Sequence, residues 1–549
     1  MSTASAHVAL TLAQHVDAVF GVMGNGNAWF LDALERETST RYTAVRHEQG
    51  AVVAADAYYR ASGRIAAATA TYGAGFTNTL TGLAEAVQAQ VPLVLVVGDE
   101  PTSGPRPWDV DQIALSSGVG ARTYTVGRTD AAATTVIALE HALTYRVPVV
   151  LAIPYDVATL EVGEVPQLPG LSLPEPLAPR GEFALGLLDE LAEALRTAKR
   201  PLLLAGRGAW LAGASQGLGR LAELTGALTT SSALGRGVFP DQAHDLGVAG
   251  GFGAEGAMEL VRQADVAVVF GAGLNQFTMR FGELFAPGTR VFQVDIAPSA
   301  SHAHVGGFVR GDARLVAEQL VQRLEGMTSS GWRETVDVAA ARRYEPGDDQ
   351  AADGLLDPRS AARRIAELLP EQRVVVSDGG HFIGWANMYW PVAAPDRMMM
   401  VGTAFQSIGL GWPSVVGAAL ARPQDTVVLT TGDGGGLMAL ADLESAIRSS
   451  GGRGMAVVWN DAAYGAEVHV YGRKGVVREP MMIPQVDFAA LGSALGAEGV
   501  VVRSLADLER LAAWREEPVQ QRRFLVLDLR VSGAIAAPYQ EEIYRINSR

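Results

Sequence analysis

The sequence predicts an α/β protein made of three doubly wound parallel-sheet domains. Its 549 residues are too many for one hydrophobic core and suggest about three or four compact units. Short runs that are apolar at every position alternate with helical patterns, as expected where helices cover both faces of a parallel sheet. Two stretches without such runs divide the chain into three blocks.

These blocks set the predicted domain limits. Residues 1–165 form the first domain, 181–328 the middle domain and 358–549 the third domain. The linker 166–180 holds five prolines, which no helix or central strand accommodates, and a second linker spans 329–357. The predicted strands are Ala18–Val22, Ile65–Thr69, Leu93–Val97, Val147–Ile153, Pro201–Ala205, Val266–Phe270, Val291–Val294, Val374–Ser377, Thr426–Thr430, Met455–Asn460 and Phe524–Leu529.

Composition narrows the classes of function. The formal charge is −15 and no cluster of Lys and Arg is present, which argues against nucleic-acid binding. The absence of cysteine excludes disulfides, thiolate nucleophiles and Cys-ligated metals. The first residues lack the pattern of a secretory signal, and no apolar run reaches membrane-spanning length. We therefore expect a cytoplasmic enzyme that binds neither nucleic acid nor membranes.

A glycine-rich turn with an acid inside it follows the strand Thr426–Thr430. The turn is Thr-Gly-Asp-Gly-Gly-Gly at Thr431–Gly436, and a helix is predicted from about Leu437 to Ser449. Glycines let a backbone approach a ligand, but Asp433 would repel a bare phosphate. A divalent cation between them removes that conflict, so the turn predicts Mg²⁺ with a diphosphate. The alternative is an ordinary turn that Asp433 caps without a metal.

A second oxygen-rich turn, Asn460–Gly465, follows the strand Met455–Asn460 at the sheet edge where ligands of open α/β sheets bind. Gly-Asp-Gly at 432–434, followed after two dozen residues by Asn-Asp, resembles the thiamine-diphosphate motif, which ends in Asn or Asn-Asn. The chain is thereby identified as a member of the thiamine-diphosphate-dependent enzyme family. It is acetolactate synthase-like and also similar to benzoylformate and pyruvate decarboxylases, with domains in the order pyrimidine-binding, middle and diphosphate-binding.

The resemblance implies ligands for the metal and the diphosphate. Asp433, the side chain of Asp461 and the backbone carbonyl of Ala463 would hold Mg²⁺. Asn460 is the alternative to Asp461, because the family has an amide where this chain has that carboxylate. The residues expected around the diphosphate are Gly432, Gly434, Gly435, Tyr464 and His381.

A second motif supplies an acid for the other end of the cofactor. The segment Val45–Ala51 is Val-Arg-His-Glu-Gln-Gly-Ala and precedes a small-residue helix at Val52–Arg60. In the family, a Glu in the same His-Glu-x-Gly/Ala-Ala setting binds the aminopyrimidine. The resemblance therefore gives Glu48 the task of favouring the imino tautomer that deprotonates C2 of the thiazolium. The alternative is a capping or surface carboxylate.

Three further segments are similar to the acetolactate synthase pattern: Phe20–Gly24, Thr71–Asn78 and Gly402–Pro413. The last of them would lie beneath the cofactor, where an apolar wedge holds its two rings in a V; Ile408 is that wedge or an ordinary core residue. The other cofactor contacts that these segments imply are Thr71, Asn78 and the backbone carbonyl of Gly402.

The implied reaction is the decarboxylation or carboligation of a 2-oxo acid or related carbonyl compound, through a C2 ylid and an enamine. The alternative is a non-carboligating 2-oxo-acid decarboxylase or C–C lyase of the benzoylformate decarboxylase type. The synthases' Phe-Gln-Glu signature is replaced by Trp108-Asp109-Val110, so synthesis of branched-chain amino acids does not follow. A non-catalytic regulatory protein is a third hypothesis, but it would have little reason to keep Glu48.

Polar residues on loops near C2 are the candidates for stabilising charge and moving protons. Asn25 and Asn27 follow the first strand, although either could be an ordinary turn residue. His47 and His381 are able to carry protons near neutral pH. Two further candidates, which could equally lie on the surface, are Glu467 and His469.

The middle domain and the subunit arrangement complete the expectations. Leu204–Ala209 and Phe270–Gly273 are glycine turns after strands, and in the acetolactate synthase branch this domain can hold FAD; an empty spacer is the favoured alternative. The Gly-x-Gly-x-x-Gly arrangement of NAD-dependent dehydrogenases is missing. Because Glu48 and the magnesium motif lie in different domains, and the family builds each site from two chains, a homodimer or homotetramer is expected.

Overall fold

The computed structural model describes residues 2–167 and 170–547 and contains three six-stranded sheets. Every strand pair within them is parallel, which confirms the predicted fold class. The three sheets lie inside the proposed domains 1–165, 181–328 and 358–549. Leu168 and Pro169 of the predicted proline-rich linker lie outside the described residues.

The first sheet has the strand order β2-β1-β3-β4-β6-β5. Its central strands are short and apolar on both faces because helices cover both sides. Its strands are β1 Ala18–Gly21, β2 Arg41–Ala44, β3 Ala66–Ala70, β4 Leu93–Asp99, β5 Arg122–Thr125 and β6 Pro148–Pro154, and its helices are α1 Ala4–Leu12, α2 Ala28–Glu37, α3 Glu48–Ser62, α4 Ala74–Thr77, α5 Leu80–Gln88, α6 Gln112–Gly118 and α7 Ala131–Tyr145.

The middle sheet has the order β12-β11-β10-β7-β8-β9, with its two halves running outward from the adjacent strands β7 and β10. This is the order of doubly wound sheets that bind ligands at the carboxyl edge between the two halves. Its strands are β7 Pro201–Ala205, β8 Leu228–Ser231, β9 Asp245–Val248, β10 Val266–Phe270, β11 Arg290–Asp295 and β12 Val305–Arg310, and its helices are α8 Glu182–Thr197, α9 Arg207–Leu211, α10 Ser215–Thr225, α11 Glu255–Gln263 and α12 Ala313–Arg323.

The third sheet has the order β14-β13-β15-β16-β18-β17, which repeats the order of the first. Its strands are β13 Arg373–Ser377, β14 Met398–Met400, β15 Thr426–Gly432, β16 Gly454–Asn460, β17 Glu498–Val502 and β18 Leu525–Arg530. Its helices are α14 Pro358–Leu368, α15 Ile383–Tyr389, α16 Gly411–Ala421, α17 Asp433–Met438, α18 Leu443–Ser450, α19 Gly465–Val470, α20 Phe488–Ala494, α21 Glu509–Glu516 and α22 Pro538–Asn547; α13, Val338–Ala341, precedes them in the second linker.

One local expectation is wrong. The glycines after Asp433 are not a loop before a helix at Leu437, since β15 continues to Gly432 and α17 starts at Asp433. That helix ends at Met438, and a 3₁₀ turn at Leu440–Asp442 separates it from α18. The proposed linker 329–357 contains short helical segments, and the buried side chains of Trp332 and Val338 pack on the core of the middle sheet.

Helices α3 and α16 pack across the boundary between the first and third sheets. The Cβ of an alanine at Gly417 would overlap the carbonyl oxygen of Ala54, so the two helices touch backbone to backbone. A buried arginine extends the contact, because Arg60 pairs with Asp56 and donates to the Met400 carbonyl at 2.9 Å. These contacts fix the orientation of the two sheets within one chain. In the described part of the chain, no helix is both long and apolar enough to span a membrane.

Candidate functional site

The residues predicted for the site fall into two separate groups, each at the carboxyl edge of one sheet. In the first sheet, the turns after the adjacent strands β2, β1 and β3 carry Glu48, Asn25 and Thr71. In the third sheet, the segments that end and follow β13, β14, β15 and β16 carry His381, Gly402, Asp433 and Asp461 with their neighbours in the motifs. Neighbouring parallel strands end at the same edge, so each group is compact.

The first group is centred on the carboxylate of Glu48. Glu48 is the first residue of α3, and its Oε2 accepts a hydrogen bond from the Asn78 side chain at 2.9 Å. Gly75 lies against the same carboxylate, since a Cβ there would be 3.3 Å from Oε1. Thr71 does not reach Glu48; its hydroxyl accepts from the Gly26 amide at 2.9 Å and so fixes the turn after β1. The carboxylate is half-buried and remains open to a ligand.

The two asparagines after β1 have different surroundings. Asn25 donates to the Tyr72 hydroxyl at 2.8 Å at the surface of the turn. Asn27 is buried: its Oδ1 accepts from the Gly24 amide, and its Nδ2 donates to the Val22 carbonyl and to Thr69. Those bonds show that Asn27 holds the turn together, and its catalytic role stays a prediction.

His47 also has a local role. It precedes α3, and its ring Nδ1 accepts from the Gln49 amide at 3.2 Å, which caps the helix. An accepting Nδ1 leaves Nε2 to carry the proton of the neutral ring. The geometry therefore assigns His47 to holding the start of the helix on which Glu48 stands, and this capping is the only side-chain bond that it makes among the described residues.

The second group is centred on two buried carboxylates, Asp433 at the start of α17 and Asp461 after β16. His381 lies beside them, with its Nε2 3.0 Å from Asp461 Oδ2. Among the described residues, neither Asp433 Oδ2 nor Asp461 Oδ1 has a hydrogen-bond partner. Buried carboxylate oxygens without donors are costly, and a bound cation is a standard way to satisfy them.

Electrostatics favours a cation at the same place. Burial and the nearby charge of Asp461 raise the pKa of Asp433 to about 7. Burial opposes protonation of His381, but the carboxylates of Asp461, Asp433 and Glu467 outweigh it and raise the pKa of the imidazole. The carboxylates thus favour the protonated, positively charged form of His381. The described residues hold no set of three His, Cys, Asp or Glu side chains able to bind a metal, so such an ion would need backbone and ligand oxygens as well.

Asn460 is arranged differently from Asp461. Its Nδ2 donates to the Val486 carbonyl and to Asp528 Oδ1, both at 2.9 Å, which ties the buried amide to the neighbouring strand β18. Its Oδ1 has no described partner. The charge of Asp461, in contrast, helps to raise the pKa of Asp433. Both Asn460 and Asp461 thus have a buried oxygen without a described partner, and only Asp461 adds negative charge near Asp433.

The turn after β16 has an unusual backbone. Ala462 has a φ of +58°, the left-handed region that a residue with a Cβ seldom adopts. Backbone bonds on both sides hold it there, from Ile483 to the Ala462 carbonyl at 2.9 Å and from Tyr464 to the Met481 carbonyl at 2.8 Å. Between them, the Ala463 carbonyl accepts no backbone hydrogen bond within the described chain. It is thus available as an oxygen ligand.

The glycines of the motif make room for protein side chains. A Cβ at Gly432 would be 2.8 Å from Phe382, one at Gly434 would be 2.8 Å from Tyr464, and one at Gly435 would be 2.8 Å from Asp378. These short distances explain why glycine is needed there without invoking a ligand. The absence of a side chain at Gly434 lets the ring of Tyr464 pack against the motif.

Asp378 was missed by the sequence analysis. This buried carboxylate accepts from the amides of Gly379, Gly409 and Leu410 and from the Thr431 hydroxyl, at 2.8–3.1 Å. It therefore ties the turns after β13, β14 and β15 together. The only sequence signal was an acid directly after a buried strand, which is common in α/β proteins.

The turn after β14 carries Gly402 and Ile408. Gly402 has a φ of +103°, and its carbonyl accepts from the Ser407 amide at 2.8 Å, leaving a second lone pair for a ligand. Ile408 and Gly402 line a cavity of about 750 Å³ between the third and middle sheets, together with His381 and Glu467. None of the first-sheet residues predicted for the site lines this cavity.

The same cavity reaches the carboxyl edge of the middle sheet, where Gly271, Asp295 and Gly311 line it. Its opposite wall is α22, with Tyr539, whose hydroxyl donates to the His381 carbonyl at 2.6 Å. His469 is buried beside this wall rather than at the surface. The cavity thus joins the predicted diphosphate edge with the edge at which the middle sheet would bind a ligand.

Comparisons with known proteins identify one family along the chain. Three family models match, described as Thiamine pyrophosphate enzyme N-terminal TPP binding domain, central domain and C-terminal TPP binding domain, at residues 2–117, 188–320 and 378–529. An acetolactate synthase isozyme 3 large subunit of Escherichia coli is 28% identical over 95% of this chain and 93% of its own length. A sulfoacetaldehyde acetyltransferase of Alcaligenes xylosoxydans is 27% identical over 99% of this chain and 95% of its own.

Proposed function

Because the chain belongs to the thiamine-pyrophosphate-dependent enzyme family, we propose that it decarboxylates a 2-oxo acid, or a related carbonyl compound, and passes the resulting acyl unit to an acceptor. Mg²⁺ and thiamine diphosphate are the proposed cofactors. When bound, thiamine diphosphate supplies an electron sink for the carbon from which CO₂ or another group departs. The protein's task is to bind, orient and protonate.

One observation carries the proposal: Asp433 and Asp461 are buried together with unpartnered oxygens. Mg²⁺ prefers oxygen ligands and, in phosphate sites, takes one or two carboxylates with the remainder from phosphate and water. Asp433, Asp461 and the Ala463 carbonyl would hold the ion, with Asn460 as the less favoured ligand. The described residues thus fit a magnesium diphosphate better than a free cation.

Residues around the cofactor would divide the remaining work. Glu48 would give a proton to the pyrimidine ring nitrogen or share one with it, and Asn78 holds the carboxyl group in place for that purpose. Gly402 would accept a hydrogen bond through its carbonyl, while Ile408 offers an apolar support. Asn25 would contact the substrate carbonyl or carboxylate. His381, adjacent to Asp461, is the side chain placed to hold a proton beside the diphosphate.

A second subunit would bring the two groups together. Neither Glu48 nor Asp433 lines the larger cavity, and large apolar side chains are exposed next to each group. Met23 and Trp108 are 64% and 60% exposed beside the first group, and Met438, which ends the helix that begins with Asp433, is 56% exposed. Such residues mark surfaces that a partner covers. We propose a homodimer, or a tetramer built from it, with the site between chains.

The acceptor of the acyl unit distinguishes two candidate activities. Carboligation onto a second 2-oxo acid would make the protein acetolactate synthase-like; decarboxylation alone would make it a benzoylformate decarboxylase-type lyase. The relative named sulfoacetaldehyde acetyltransferase adds a sulfonated donor to the candidates. In place of the synthase signature, Asp109 pairs with Arg106, whose guanidinium stacks on Tyr72 at 4.1 Å. That arrangement supports a substrate different from those of the synthases.

The test is a substrate panel. The purified protein is supplied with thiamine diphosphate and Mg²⁺ and offered 2-oxo acids and sulfoacetaldehyde, with CO₂ or acyl product measured and acyloins identified by mass. We expect turnover of at least one donor that depends on both cofactors. An Asp433→Ala variant should lose cofactor binding and turnover together. Turnover without thiamine diphosphate, or wild-type activity in that variant, would overturn the proposal.

A further inference from the structure

A second cavity lies away from the site, on the other side of α15. It has a volume of about 510 Å³ and is formed by β9 of the middle sheet, the second linker and the segment that follows α15. Its lining includes Arg236, Arg342, Arg343 and Arg363, and no Asp or Glu. We propose that this arginine pocket binds a small organic phosphate carrying two or more negative charges. The inference does not depend on the proposed function.

The four arginines lack the partners that arginines usually have. None of them forms an ion pair with a carboxylate among the described residues, although the chain is acidic, with a formal charge of −15. Other arginines nearby are paired, as Arg359 is with Asp357 at 2.7 Å. Four like charges around one cavity repel each other unless an anion joins them. Because no Asp or Glu lines it, the pocket has an excess of positive charge.

Arg236 is the innermost of the four. Its guanidinium donates to the Trp390 carbonyl and to the Met398 sulfur, and burial lowers its pKa to about 10, so it stays charged at neutral pH. Arg342 donates to the Asp245 carbonyl at 3.1 Å. The nearest buried acid is Asp245; burial raises the pKa of that carboxyl to about 6, so it is still ionised at neutral pH and its charge acts on Arg342 and Arg236. This one carboxylate balances only part of the charge of the four arginines.

Arg343 and Arg363 stand at the mouth. Both are exposed, and neither guanidinium makes a hydrogen bond to another described residue. Guanidinium groups bind phosphate oxygens in pairs, and these two free groups, together with the exposed Arg342 and the half-buried Arg236, suit a ligand with several phosphate oxygens. Four guanidinium groups around one cavity favour a diphosphate or triphosphate over a single small anion.

The remaining lining is apolar or aromatic and suits the organic part of such a ligand. Tyr344 and Tyr389 have ring centroids 5.4 Å apart, tilted by 43°, and Trp390 and Val248 close the floor. Pockets for small molecules combine such apolar walls with a few placed polar groups, and the volume lies in their usual range. An organic phosphate with a flat ring fits the combination, and ATP is the probe of that class.

The experiment is a calorimetric titration of the holoenzyme, with thiamine diphosphate and excess Mg²⁺ saturating the other site. The probes are ATP and inorganic phosphate. We expect one saturable ATP site per chain, weaker binding of phosphate, and loss of affinity with added salt. The double variant R343Q/R363Q should bind ATP at least about tenfold more weakly, because two charge-assisted contacts are removed. Both side chains are exposed, so folding should be unaffected, which a thermal melt checks.

Arg146→Gln is the matched control, since Arg146 lines the larger cavity and not this one. It should retain the affinity for ATP. The proposal is overturned if neither probe gives saturable binding, if the double variant binds ATP like the wild type, or if Arg146→Gln alone abolishes binding. It is equally overturned if sedimentation shows that R343Q/R363Q dissociates the oligomer, because the arginines would then meet a second copy of the chain.

Discussion

At the scale of single residues, the proposed metal site is built on an unfavourable pair of buried carboxylates. Asp433 and Asp461 lie close enough for the charge of one to raise the pKa of the other, and both are buried with unpartnered oxygens. Such a pair does not stabilise a protein without a cation, since burying each charge costs on the order of several kcal/mol. The arrangement is therefore an argument for a ligand.

Mutation can distinguish Asp461 from Asn460 as the side-chain ligand of Mg²⁺. Asp461→Ala should raise the Mg²⁺ concentration needed for thiamine diphosphate binding by about tenfold or more, as loss of a charged ligand does. Asn460→Ala should instead lower the melting temperature, because the Asp528 carboxylate would lose a donor at a cost of about 1–3 kcal/mol. Cofactor-induced fluorescence quenching against Mg²⁺ measures the first, and calorimetric melting the second. The opposite pattern would make Asn460 the ligand.

Glu48→Gln should reduce turnover by about two to four orders of magnitude, the usual contribution of a positioned acid or base. The amide keeps the volume of the side chain and its contact with Asn78, so cofactor binding should remain near normal. Steady-state turnover and binding titrations measure the two effects. Glu37→Gln, at an exposed glutamate that ends helix α2 of the first domain, is the control and should leave both unchanged.

Which polar turn residues face a ligand could be predicted only in part. Glu48, Asp433 and Asp461 stand at edges that their motifs identify, and the structure places each at such an edge. Asn27 and His47 had the same kind of sequence signal, but Asn27 uses both its amide oxygen and its amide nitrogen within the chain, and His47 uses Nδ1 to cap α3. Sequence shows that a residue is polar and in a turn, whereas the use of its donors depends on contacts such as Thr69, 42 residues away.

At the scale of elements, α3 and α16 hold the two edges in a fixed relation. Glu48 begins α3, and the turn with Gly402 and Ile408 leads directly into α16. The Arg46 amide donates to Asp442 at 2.8 Å, which ties the start of α3 to the turn after α17. A small displacement of either helix would thus move residues of both groups.

Gly417→Ala tests that contact. The added methyl would overlap the Ala54 backbone, and overpacking of this kind costs about 1–3 kcal/mol. We expect a lower melting temperature and weaker thiamine diphosphate binding. Gly186→Ala in α8 is the matched control, because a Cβ there meets no atom within 4 Å. It should be neutral or slightly stabilising, as alanine favours helix over glycine. Equal effects of the two substitutions would contradict the described packing.

Sequence patterns found the centres of the sheets and missed their edges. All eleven predicted strands are confirmed with small shifts at their ends, but β2, β5, β9, β12, β14 and β17, the edge strands, were not predicted. Strands such as β5 and β12 are partly exposed and mix polar with apolar residues, so they lack the continuous apolar run of a buried parallel strand. The interior strand β8 was missed because its sequence is Leu-Thr-Thr-Ser.

At the scale of the whole molecule, one chain presents two half-sites that face different surroundings. In the third sheet, His381, Gly402 and Ile408 line the cavity shared with the middle sheet, whereas the Glu48 group lies on a surface flanked by exposed Met23 and Trp108. A two-fold dimer would give each Glu48 group the opposite Asp433 group, so two equivalent sites would form at once. The oligomer is therefore part of the catalytic proposal.

Complementation between two inactive chains tests this claim most directly. Glu48→Gln and Asp433→Ala chains, carrying different affinity tags, are coexpressed, and the mixed dimer is isolated through both tags. If each site takes Glu48 from one chain and Asp433 from the other, the mixed dimer holds one intact site and should show about half of wild-type turnover. Turnover no higher than that of either parental variant would contradict a site shared between chains.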